Sequence, residues 1–242
     1  MNLEVIRTSD GSDTLFHREL NQHYHSTFGA VQESRHIFME AGFLHVLGKL
    51  QPGAGNAGST VNILEVGFGT GLNALMTLFE AEKQGASVHY TAIEAFPLTE
   101  TSWRGLNYPH HFGPLDYSQV YEQLHLASWN ETVEISSRFR LHKVECTLQS
   151  YKAPGKIFDL VYFDAFGPDA QPELWTEQIF HDLFNMMNPG GILVTYSVKG
   201  IVVRALKAAG FTIEKLPGPP GKRHILRGLL TPQQQGFLCV PS

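Results

Sequence analysis

Three acids stand where an apolar run gives way to a loop, and a row of glycines follows the first. Glu65 precedes Gly67, Gly69 and Gly71 in the stretch Asn62-Ile63-Leu64-Glu65-Val66-Gly67-Phe68-Gly69-Thr70-Gly71-Leu72-Asn73. Glu94 closes the run that starts at Ser87, and Asp164 closes Phe158-Asp159-Leu160-Val161-Tyr162-Phe163. Ligands of open α/β sheets sit beyond the carboxyl ends of strands, so acids there are placed to touch them. A carboxylate about twenty residues after a glycine turn can accept two hydrogen bonds from ribose hydroxyls, which gives Glu94 its candidate role. The plainer alternatives are a surface acid at 94 and a strand-capping aspartate at 164.

The glycines define what the turn can hold. Each tolerates positive φ and carries no Cβ, so the backbone can lie flat against a ligand. The helix that starts at Leu72-Asn73 offers unpaired N–H groups behind it. A dinucleotide fingerprint needs G-x-G-x-x-G, but the spacing here is G-x-G-x-G with leucine at 72. A phosphate-binding P-loop needs Lys-Ser/Thr after its last glycine, where this chain has Leu72-Asn73. The acid two residues before the first glycine instead resembles the S-adenosylmethionine (SAM) turn of Rossmann-like methyltransferases. That resemblance makes Glu65, Gly67, Phe68, Gly69, Gly71, Asn73 and Glu94 candidate cofactor-binding residues. Glu145 and Cys146, after the third strand, stand where the adenine edge is expected. In this fold strand-four residues face the methyl sulfonium, so Asp164 is a further cofactor-side candidate. A carboxylate there can also hold an amine and take up its proton.

The elements that position these residues alternate from Val61 onward, which predicts a mostly parallel sheet. Strands are expected at 61–66, 87–93, 139–144, 158–163, 192–196 and 211–216, with helices near 72–84, 97–107, 118–127, 173–187 and 200–209. Pro217-Gly218-Pro219-Pro220-Gly221 turns the chain into a last antiparallel strand at 224–230. The expected class is therefore α/β: a Rossmann-like methyltransferase sheet closed by a C-terminal antiparallel hairpin. Ahead of it, residues 1–28 read as polar and turn-rich, and 31–50 as an amphipathic helix. Residues 51–58 read as a flexible link. Residues 1–58 are thus expected to cap a domain spanning 59–242.

Composition sets outer limits. The 242 residues carry a formal charge of −5 with 43% hydrophobic content, ordinary for a soluble globular chain. No apolar run reaches the roughly 18 residues of a membrane span, and the N-terminus lacks a signal-peptide pattern. Two cysteines, Cys146 and Cys239, stand far apart in no metal spacing. They suit a reducing cytoplasm and structural thiols. His23 and His25 could chelate a metal, but a polar or substrate-facing segment fits them better, and no metal is expected. Between Lys199 and Arg227 seven basic residues face one acid, Glu214, leaving +6 there and −11 elsewhere. Such a patch can hold a phosphate backbone; the alternative is a solvated face.

Longer blocks carry a more specific resemblance. Phe163-Asp164-Ala165-Phe166-Gly167-Pro168 followed by Gln171-Pro172-Glu173-Leu174-Trp175-Thr176 resembles a signature block of the MnmC-like tRNA wobble-uridine methyltransferases. The turn Gly67–Asn73, the run Glu94-Ala95-Phe96-Pro97-Leu98, the segment Thr195–Phe211 and the loop Pro217–Arg223 are similar to further blocks of that family. Tyr24-His25-Ser26, Gly29-Ala30 and Glu33-Ser34 resemble its stand-alone (MnmD) branch. The likeness covers nearly the whole chain. One departure is Lys222-Arg223-His224-Ile225, where the family has Lys-Arg-Glu-Met. A second is that 242 residues leave no room for the FAD-dependent oxidase of the fused forms.

The resemblance implies methyl transfer from SAM to the primary amine of 5-aminomethyl-(2-thio)uridine in the tRNA anticodon stem-loop, with a separate enzyme supplying the aminomethyl precursor. It implies Asp164 and Phe166 as catalytic residues. It implies Tyr24, His25, Trp175, Tyr196, Lys199, Lys222 and Arg223 as substrate-binding residues, with aromatics stacking on the base or cation. Two other readings stay open: a SAM-dependent methyltransferase of a small-molecule amine, and a non-catalytic SAM-binding module.

Overall fold

Residues 2–50, 60–113 and 116–231 are described by the computed structural model. The link at 51–58, the boundary drawn between 58 and 59, and Cys239 lie outside the described residues. The centre of the sheet is β4 (Thr60–Val66), where Val61, Ile63, Leu64 and Val66 are all buried. A strand apolar on both faces must be covered on both, which is how parallel strands survive. β4 pairs in parallel with β5 (Ser87–Glu94) on one side and β8 (Phe158–Phe163) on the other. β7 (Phe139–Glu145) extends the sheet from β5, and β9 (Met187–Thr195) extends it from β8. The antiparallel pair β10 (Thr212–Pro217) and β11 (His224–Leu229) closes one edge, with β11 against β9. The whole order is β10-β11-β9-β8-β4-β5-β7-β6, with β6 (Thr132–Ser136) at the far edge. The chain steps away from β4 in both directions, so the ends of β4, β5 and β8 flank the switch point.

Helices follow the strands. α2 (Leu72–Gln84) leaves the glycine turn, and its polar face is largely sequestered too, with Asn73, Thr77 and Glu80 buried. α5 (Glu177–Met186) is capped by Thr176, whose hydroxyl accepts the Ile179 N–H at 3.3 Å. α6 (Gly200–Ala208) packs beside it. One apolar cluster lies on each face of the sheet. Phe38, Phe43, Tyr90 and Tyr162 belong to one, and Phe163, Trp175, Phe180 and Leu206 to the other.

Several elements differ from expectation. Residues 2–28, read as polar and turn-rich with short strand or loop pieces at 14–16 and 23–26, contain a small antiparallel sheet of β1 (Leu3–Arg7), β2 (Asp13–His17) and β3 (Gln22–His23). The helix at 31–50 is one continuous run, α1, formed by Ala30–Ser34, a π-spaced stretch Arg35–Phe43, and Leu44–Leu50. A widened turn of this kind is frequent at functional sites. The helix expected over 97–107 shrinks to α3 (Glu100–Trp103). Asn107 is taken by the N-terminal hairpin instead: it exchanges two bonds with Asp13 and donates to the Gly11 carbonyl at 2.9 Å. The region after α4 (Ser118–Leu126), where no strand is expected, holds the edge strand β6 antiparallel to β7. The helix expected from 173 begins only at Glu177 because Pro172–Leu174 forms a 3₁₀ turn.

Candidate active site

The glycine turn, the ends of β5 and β8, and the segment after β3 enclose a cavity of about 1040 Å³. Positive φ at Gly67 (90°), Gly69 (47°) and Gly71 (71°) bends the chain from β4 into α2. All three positions also lack room, and a Cβ on Gly67 would lie 3.2 Å from the Asp164 carbonyl oxygen. A Cβ on Gly69 would lie 3.2 Å from the Tyr24 ring, and one on Gly71 would lie 2.8 Å from His125 Nε2. Phe68 points behind the turn, where the buried Lys143 ammonium sits 5.3 Å from its ring and 4.5 Å from that of Trp129. Burial pulls the Lys143 ammonium down to about 8. This aromatic and cationic packing fixes the turn from its far side.

Glu94 braces the turn from the front. Its Oε2 accepts the Gly69 N–H at 3.0 Å and its Oε1 the Phe96 N–H at 2.9 Å. Burial raises its carboxyl above the ordinary value, against those backbone bonds. Asn73, at the start of α2, donates its amide to Glu65 Oε1 at 3.0 Å and to Asp164 Oδ2 at 2.8 Å. Burial holds both carboxyls well above the usual range, and the Glu33 charge adds to the rise at Asp164.

The opposite wall comes from the N-terminal segment and the C-terminal loop. The Tyr24 and Phe166 rings meet edge to face at 4.9 Å. His25 Nε2 lies 2.9 Å from the Thr70 hydroxyl, and burial drops its imidazole to about 4, so it is neutral at pH 7. Tyr196 donates its hydroxyl to the Ala165 carbonyl at 2.9 Å. Lys222 Nζ lies 3.1 Å from Glu33 Oε1 and 5.0 Å from the Tyr196 ring centroid.

Of the residues singled out in the sequence, Gly67, Phe68, Gly69, Asn73, Glu94, Cys146, Asp164, Phe166, Tyr24, His25, Tyr196 and Lys222 line this one cavity. Glu65 and Gly71 stand behind its wall. Trp175 does not reach it: the indole is 1% exposed among Phe163 and Phe180, and its Nε1–H donates to the Phe166 carbonyl at 2.8 Å. It supports Phe166 from below. Glu145 is exposed outside the cavity while Cys146 lines it. Successive side chains at a strand end point to opposite sides. Lys199 pairs with Asp169 on the surface, and Arg223 is exposed outside the cavity. His23 also lines the cavity, its ring tilted against Phe16 at 4.7 Å, and among the described residues no cluster of His, Cys, Asp or Glu could hold a metal ion. No helix among them is long and apolar enough to cross a membrane.

Sequence reading missed the part played by Glu33. An acid on an amphipathic helix reads as solvent-facing, yet Glu33 is 8% exposed, and its Oε2 accepts the Ser26 N–H at 2.7 Å. Its only signal was its place in the matched Glu33-Ser34 pair. The carboxylates lining the cavity are Glu19, Glu33, Glu94, Asp164 and Glu173, against Lys222 as the one Lys or Arg among the described residues. Such a lining suits a cationic ligand.

Comparison with known proteins points the same way. A family described as S-adenosyl-L-methionine-dependent methyltransferase matches residues 118–231. The chain is 31% identical to the tRNA 5-methylaminomethyl-2-thiouridine biosynthesis bifunctional protein MnmC of Magnetococcus marinus, covering 95% of this chain and 35% of that protein. It is also 31% identical to the MnmC of Chromobacterium violaceum, covering 88% and 33%. The chain thus spans about a third of the length of these curated relatives. The crystal structure of MnmC2 from Aquifex aeolicus superposes with a TM-score of 0.76 at 25% identity, covering 95% of this chain and 70% of that one.

Proposed function

The chain belongs to the MnmC-like S-adenosyl-L-methionine-dependent methyltransferases, and we propose that it methylates the amine of 5-aminomethyl-(2-thio)uridine at the wobble position of tRNA. The product is the 5-methylaminomethyl nucleoside. The observation that carries this reading is Asp164, held by Asn73 at the end of β8 inside a carboxylate-lined cavity.

The residues fit SAM. The cavity side of the turn is backbone at Gly67 and Gly69, and Glu94 keeps acceptor capacity beyond its two backbone bonds. Asn73 Oδ1 is buried without a partner among the described residues, a free acceptor for a donor-rich ligand. We assign Gly67–Gly71, Asn73 and Glu94 to hold the cofactor, with Cys146 beside it. When bound, SAM supplies an electrophilic methyl group on a sulfonium.

The rest of the chemistry is the protein's own. An alkylammonium near neutral pH carries the proton that blocks its lone pair. Asp164 would orient the nitrogen and take that proton first; the freed lone pair would then attack, the N–C bond forming as the methyl–sulfur bond breaks and a neutral thioether leaves. The approach of a cationic amine favours the ionised carboxylate and brings Asp164 down from its raised value. Tyr24, Phe166 and Tyr196 enclose the uracil and keep water away, leaving alignment as the main source of rate. Arg223 and other cations of the C-terminal segment would meet tRNA phosphates. We read residues 1–58 as a cap on the 59–242 domain, and the precursor amine as the product of a separate enzyme in the cytoplasm.

The test is incubation with SAM and tRNA carrying the 5-aminomethyl precursor, followed by nucleoside mass spectrometry. A gain of one methyl on that nucleoside supports the proposal. Methylation of small alkylamines but not of tRNA would favour a small-molecule N-methyltransferase.

A further inference from the structure

We propose that Lys222 is a positioning residue for Asp164, with Glu33 as its tether: the Lys222 ammonium supplies the opposing charge that lets Asp164 act as a carboxylate. The inference rests on the methyl-transfer reading above and assigns Glu33 and Lys222 a part in it.

Two contacts fix the ammonium. Glu33 Oε1 lies 3.1 Å from Nζ, and the Tyr196 ring centroid lies 5.0 Å away. The tether is itself held, because Glu33 Oε2 accepts the Ser26 N–H at 2.7 Å. Tyr196 in turn grips the residue next to Asp164 through its bond to the Ala165 carbonyl. The loop that carries Lys222 is set by Lys222 N–H on the Pro219 carbonyl at 2.9 Å. It is also set by Phe28, whose ring covers Gly221 so closely that a Cβ there would come within 2.3 Å. A cation on such a loop is aimed rather than waving.

The surrounding charge shows why aim matters. Asp164 is faced by Glu65 from β4 through Asn73, by Glu33 from α1, by Tyr196 after β9 and by the buried Tyr90 and Tyr108, while Glu94 at the end of β5 shares the lining. Tyr24 and neutral His25 complete the N-terminal side, with Glu19 and Glu173 elsewhere on the lining. Against these acids Lys222 is the one Lys or Arg lining the cavity among the described residues. Burial and Glu33 push the Asp164 carboxyl up, while Asn73 and Lys222 pull it down. Without Lys222, two neighbouring acids would resist ionising together.

The opposite signs of Glu33 and Lys222 make the test specific. Single-turnover methyl transfer is followed against pH for wild type, Lys222→Met, Glu33→Gln, the double variant and Lys222→Arg. In parallel, the Asp164 carboxyl is titrated by carbon NMR, assigned with Asp164→Asn. The acidic midpoint should rise by about one pH unit in Lys222→Met and fall in Glu33→Gln, whose amide oxygen can still accept from Lys222 Nζ, so that the contact stays and only the negative charge is lost. It should return close to wild type in the double variant and stay there in Lys222→Arg. A structural pin behaves otherwise: both single variants would lose rate together with no opposed movement of the midpoint, and that result overturns the inference. If wild type fails to methylate tRNA, the reaction reading falls. The NMR titration then decides this inference alone, since it needs no substrate.

Discussion

The Asn73 amide nitrogen lies 2.8 Å from Asp164 Oδ2, and that bond ties the start of α2 to the end of β8. The same nitrogen reaches Glu65 Oε1 at 3.0 Å. One side chain therefore satisfies a buried acid behind the wall and orients the acid that faces the cavity. Asn73→Ala should leave Glu65 buried without this donor and cost roughly 1–3 kcal/mol of stability. Urea unfolding measures it, and an unchanged midpoint would mean that Glu65 finds another partner.

Glu94→Ala should weaken SAM binding by about 1.5–3 kcal/mol, the range for a charge-assisted hydrogen bond. It also removes the acceptor of the Gly69 N–H, so the turn loosens as well. Isothermal calorimetry reads the affinity. A Kd equal to wild type would take Glu94 out of the cofactor site.

His25 gives a pH dependence with a defined sign. Its imidazole falls from 6.5 to about 4 on folding because of burial. The unfolded chain therefore binds more protons in that interval, and stability drops as pH falls from 6.5 toward about 4. His25→Gln should flatten this part of the stability curve while keeping a side-chain partner for Thr70. His125, depressed to about 3 by burial, adds a slope of the same sign that the variant leaves in place. Identical curves for wild type and variant between pH 6.5 and 4 would contradict the assignment.

Much of this arrangement was legible in the sequence, because strand ends and turns are local. Glu65-x-Gly67-x-Gly69-x-Gly71 announces its own bend, and Glu94 and Asp164 are found by where apolar runs stop. The edge strand β6 was missed although Thr132-Val133-Glu134-Ile135-Ser136 alternates, because its aromatic surroundings masked the pattern. Trp175 was misplaced because an aromatic in a signature block can support a site residue as readily as touch the ligand. Nothing local reveals that Glu33 meets Lys222: they are far apart in the chain, and only the fold brings α1 to the loop after β10.

That pairing changes what the C-terminal cations can do. Lys199 is engaged by Asp169, Lys222 by Glu33 and Arg227 by Glu214. Arg223 is exposed and has no acidic partner among the described residues. Arg223→Glu should weaken tRNA binding and lower the slope of log affinity against log salt by roughly one unit. SAM affinity should not move. An unaltered salt slope would place tRNA elsewhere.

Asp164 carries the central claim, and Asp164→Asn tests it most directly. The substitution is nearly isosteric, so the fold and most of the SAM affinity should survive, which calorimetry checks. The measurement is single-turnover methyl transfer to tRNA bearing 5-aminomethyl-(2-thio)uridine, with products read by nucleoside mass spectrometry. Wild type should form the 5-methylaminomethyl nucleoside, and the variant should form it roughly 10²-fold more slowly or worse, the usual worth of a general base. A variant that turns over at the wild-type rate would contradict the account and leave Asp164 as the cap of β8.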